Sequence, residues 1–89
     1  MQNVGPFSVG GNPLGISIGI PNGADVNLTA KEARRIAEVL ESAGALTIRN
    51  MRVHAGMDAE IRIGTNSHRL QRVLAVQLAR VLRMEAGVS

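Results

Sequence analysis

Four arginines, Arg69, Arg72, Arg80 and Arg83, recur close to the end of the chain. Placed on a helix running from Ser67 to Ala86, they share a sector of about 80° and form a stripe about 20 Å long, interrupted at its middle by Val76. A guanidinium is a planar fork of hydrogen-bond donors, so the chemistry such a stripe offers is the binding of phosphates or carboxylates. Arg49, Arg52 and Arg62 lie upstream and would extend the basic surface across a sheet edge. A solvated helix face is the plainer reading of the same residues, because arginine is a good helix former and charge patterning is a weak signal.

His54 and His68 are the two imidazoles. Either is a candidate for acid–base work, paired with Asp58 or Ser67. No third ligand at a recognised spacing accompanies them, so neither a metal nor a catalytic role is expected. Ser67 and His68, adjacent in sequence, resemble no nucleophilic arrangement, since neighbouring side chains on a helix diverge. Gly10-Gly11-Asn12-Pro13-Leu14-Gly15 lacks the Lys-Ser/Thr ending of a phosphate loop and reads as a hairpin turn. Cysteine is absent, which removes disulfides, thiolate metal sites and thiol nucleophiles. The expectation is therefore a chain with no catalytic set, no cofactor and no metal.

The elements that must position these residues are short. Val4 to Ile20 combines β-branched residues with the glycine turn and predicts a hairpin. In its second strand Ile16, Ile18 and Ile20 alternate with Ser17 and Gly19, so one face is buried and the other carries no charge. At a sheet edge, that unguarded strand, Ile16-Ser17-Ile18-Gly19, is a route to self-association, with apolar Val76 as a second contact; a central position in the sheet weighs equally. Thr29-Ala30-Lys31-Glu32 matches a capping box. Ala33, Ile36, Ala37, Leu40 and Ala43 follow on one helical face, with Gly44 as the stop. Between Ala45 and Ala55 the apolar phase shifts from Leu46 and Ile48 to Met51 and Val53, which predicts a bulge near Arg49-Asn50. Glu60-Ile61-Arg62-Ile63 predicts a fourth strand, and Gly64 to Ser67 leads into the last helix, whose apolar sector is Leu70, Val73, Leu74, Leu78, Val81, Leu82 and Met84.

This order, ββαββα, predicts a single α+β domain over residues 1–89: a two-layer sandwich with one four-stranded, largely antiparallel sheet and both helices on one face. The two ββα units look alike, but short alternating strands ahead of amphipathic helices do so without duplication. Leu28-Thr29-Ala30-Lys31-Glu32-Ala33-Arg34-Arg35-Ile36-Ala37 resembles the Ala/Arg-rich helices of small actinobacterial and phage proteins, a compositional likeness that implies a source and no activity.

Charge is unevenly spread. The chain has ten Lys and Arg against seven Asp and Glu, and the excess falls after residue 44, where seven arginines meet only Asp58, Glu60 and Glu85. With no secretory leader pattern and no apolar run near the ~20 residues that span a bilayer, a cytoplasmic protein without a membrane role is expected. Two aliphatic layers in so short a chain leave little room for a pocket. The expected function is thus a small, regulatory, non-catalytic interaction protein, a homodimer that meets an acidic protein partner; the alternative is nucleic-acid binding through the arginine stripe, which the single aromatic residue, Phe7, does not favour as a stacking platform.

Overall fold

Alternating runs separated by tight turns occupy both halves of the chain, and each half builds its own sheet. The computed structural model describes residues 2–12, 15–20 and 25–88. They form β1 (Gln2–Val4), β2 (Phe7–Asn12), β3 (Gly15–Gly19), β4 (Asp25–Leu28), α1 (Ala30–Glu41), β5 (Gly44–Ile48), β6 (Met51–Ala55), β7 (Ala59–Ile63), β8 (Asn66–Leu70) and α2 (Arg72–Val88). The first sheet has the order β1-β2-β3-β4 and the second β5-β6-β7-β8, all neighbours antiparallel. The α+β class and the two helices stand. The expected ββαββα order with one sheet gives way to ββββα twice.

Three turns account for strands that the pattern hid. The phase change at Arg49-Asn50 is a two-residue hairpin turn, not a bulge: Ile48 pairs with Met51, and Arg49 takes φ 53°. Gly5 does the same between β1 and β2, at φ 57° with Val4 paired to Phe7. Gly64-Thr65 turns the chain into β8 and not into a helix, so α2 begins at Arg72. The β2–β3 hairpin is closed by the Asn12–Gly15 pair, while its turn residues and Pro21-Asn22-Gly23 lie outside the described residues.

α1 starts as its sequence predicts. Thr29 Oγ1 accepts from the Glu32 N–H at 3.1 Å, and Glu32 Oε1 accepts from the Thr29 N–H at 2.9 Å. The helix ends at Ser42, whose N–H and hydroxyl both donate to the Glu38 carbonyl; Gly44 opens β5 instead of stopping the helix.

The helices pack on each other, and each touches strands of both sheets. α1 meets β3 and β4 as well as β5 and β6, whereas α2 meets β1, β2 and β3 as well as β8. The arrangement of two helices on one face of a single sheet is therefore replaced by two sheets whose apolar faces close on a helix pair. Each half repeats one burial pattern. Ala33, Ile36, Ala37 and Leu40 on α1 correspond to Ala75, Leu78, Ala79 and Leu82 on α2, every counterpart following by the same interval of 42 residues, as 75 follows 33. Glu41 and Arg83 are also such counterparts, and they meet: Arg83 Nε donates to Glu41 Oε1 at 2.8 Å.

Candidate functional site

Sheet alternation turns every second residue of β5 to β8 outward, and the register aligns these residues in two rows. One row runs Ala45, His54, Glu60, Arg69, with charges of both signs. The other runs Thr47, Arg52, Arg62, Ser67 and contains no acid. All eight residues are exposed. Arg52 and Arg62 face each other directly on adjacent strands, an arrangement that like charges disfavour. The ion pairs among the described residues are Arg49–Glu32 and Arg83–Glu41, so neither Arg52 nor Arg62 has a carboxylate within 4.0 Å. An open groove of about 200 Å³ lies where this row meets the turns, lined by Thr47, Arg49, Asn50, Met51, Arg52, Arg62 and Gly64. Arg62 Nε donates to the Gly64 carbonyl at 3.3 Å, which fixes one guanidinium at its rim.

Arg49 serves the fold. Its Nη1 donates to the Asn27 carbonyl at 2.9 Å and to Glu32 Oε1 at 3.0 Å, tying the β5–β6 turn to β4 and to the start of α1. The Thr29 N–H bond, reinforced by the Arg49 guanidinium and partly opposed by burial, holds the Glu32 carboxyl below its ordinary range.

The helical arginine stripe is broken up. Arg69 stands on β8, on the outer face of the second sheet, because residues 66–70 pair with β7. Arg83 is spent on Glu41, and Arg72 donates to the carbonyls of Gly56 and Glu41 at 3.3 and 3.4 Å. Among the described residues Arg80 has no ion pair. The apolar sector also differs from expectation. Ala75, Leu78, Ala79, Leu82 and Ala86 face the core, whereas Val73 is 64% and Met84 51% exposed. At about 100° per residue those two share the side of α2 opposite Leu82, with Gln77 and Arg80 between them. A shallow recess of about 400 Å³ there is lined by Arg72, Val73, Val76, Gln77 and Arg80.

The proposed self-association strand is not at an edge. β3 lies between β2 and β4, so its N–H and C=O groups are already paired. Ile16 and Ile18 are fully buried, while Ser17 and Gly19 lie on the outer face; a Cβ at Gly19 would overlap the Asp25 carboxylate. Val76 is half-buried at the recess. His68 turns inward, its ring edge-on to Phe7 at 5.7 Å between centroids, while His54 faces out opposite Glu60. Among the described residues no three His, Asp or Glu side chains gather as a ligand set, and no helix is long and apolar enough to cross a membrane. No family model, curated protein or solved structure matches the chain.

Proposed function

We propose that the chain is a non-catalytic interaction protein whose α2 face docks an acidic protein segment carrying aliphatic anchors. The observation that carries this reading is the pairing of exposed Val73 and Met84 with Arg80 on one side of α2, beside Arg72. Eleven residues at about 1.5 Å each separate the two aliphatic side chains by about 16 Å, the span of three turns of a partner helix. Covering either side chain fully would contribute up to roughly 1.5–3 kcal/mol, and the neighbouring guanidinium of Arg80 selects carboxylates around those anchors. A second copy of the same face is a poorer occupant, because it would set arginine against arginine.

A photo-crosslinker at position 77, used in extract of the source cells with and without nuclease treatment, should capture a protein in both. Binding of that purified protein should weaken about tenfold or more in Arg80→Glu and in Val73→Asp/Met84→Asp, with unfolding midpoints little changed. Crosslinking to nucleic acid alone, or binding indifferent to both variants, would overturn the proposal.

A further inference from the structure

We infer that the groove at the turn end of the second sheet binds a phosphate group between Arg52 and Arg62. This site is separate from the α2 face and does not depend on it. Arg52 and Arg62 are in direct register on neighbouring strands, flanked in the same row by the hydroxyls of Thr47 and Ser67. Directly opposed like charges cost stability unless an anion lies between them. The nearest acidic position on this face, Glu60, belongs to the other row, opposite His54 and Arg69. The Arg49 charge at the groove wall is already balanced by Glu32, which leaves the guanidinium groups of Arg52 and Arg62 unmatched along the same groove. A carboxylate presents two oxygens to one fork. A phosphate presents oxygens in several directions and can accept from both forks and from Thr47 at once. The opening is broad enough for either a free phosphate ester or one phosphate of a polymer backbone, and the chemistry of capture is the same.

Thermal unfolding in phosphate-free, low-salt buffer provides the test. Inorganic phosphate or pyrophosphate in tenfold excess over its Kd should raise the wild-type midpoint by about 7 °C. In Arg52→Gln/Arg62→Gln that shift should vanish, while the ligand-free midpoint stays at or above the wild-type value because the repulsion is gone. Should the double variant fold poorly, perturbation of the Arg52 and Arg62 Nε–H resonances of the wild-type protein by pyrophosphate gives the same information. A duplex of about 20 base pairs, supplied at equal phosphate concentration, separates the sources. A shift with orthophosphate or pyrophosphate assigns a free phosphate ligand, and a shift with duplex alone assigns a backbone phosphate; either supports the site. No midpoint or resonance shift with any of them, an equal effect of acetate at matched ionic strength, or an undiminished shift in the double variant would overturn it.

Discussion

At Gly15 a hydrogen stands where any Cβ would lie 2.2 Å from the Leu28 carbonyl oxygen, and the backbone takes φ 145°. Strand β3 can approach β4 there only because the side chain is missing. Gly15→Ala should therefore cost more than about 2 kcal/mol in urea unfolding, whereas Gly64→Asn, at φ 61° in open space, should cost under about 1 kcal/mol. A similar loss at both positions would show that β3 and β4 adjust freely. Glu32 makes a second prediction at this scale. Its carboxyl titrates below the ordinary value of 4.5 in the folded chain, so its contribution is present above that pH and fades as pH falls through the lower folded value. The stability difference between wild type and Glu32→Gln should shrink on acidification across that window. In Arg49→Ala most of the acid dependence should remain, because the Thr29 N–H bond is the larger cause.

At the scale of elements, α2 tests which side chains the core uses. Leu78→Ala should destabilise by roughly 2–5 kcal/mol, while Val73→Ala and Met84→Ala should stay within about 0.5 kcal/mol of wild type. Equal losses at all three would place the helix in another rotation. The sequence made α1 legible through its capping box and α2's core positions through Leu78 and Leu82. It also showed β3 and β7, whose isoleucines alternate cleanly. Residues 66–70 were illegible as a strand, since only His68 and Leu70 face inward and the segment continues a helical wheel without a breaker. That single displacement moved Arg69 from a helix stripe to a sheet face. The Arg49-Asn50 turn was hidden for another reason: a non-glycine residue at positive φ carries no glycine signature, so only the phase change marked it. The Arg52–Arg62 juxtaposition needed strand register, which alternation alone does not supply.

Across the whole molecule, each helix packs on strands from both halves, and one buried cluster draws on both sheets. Unfolding should accordingly be a single transition, with amides of β2 and β7 exchanging through the same global opening. Two separable steps would mean that the halves stand alone. The Glu41–Arg83 contact links them through counterpart positions. Glu41→Arg and Arg83→Glu should each lower stability by about 0.2–1 kcal/mol or somewhat more from repulsion, and the double reversal should restore most of the loss.

Opposite signs at that meeting point also make the halves choose each other. Were like halves to meet through the same contact, two copies of the first half would bring carboxylate to carboxylate, and two copies of the second would bring guanidinium to guanidinium. Only the mixed pairing satisfies both. Fragments separated between residues 43 and 44 would thus favour one-to-one reassembly over either like pair, as a lock that accepts a different key and rejects its own copy.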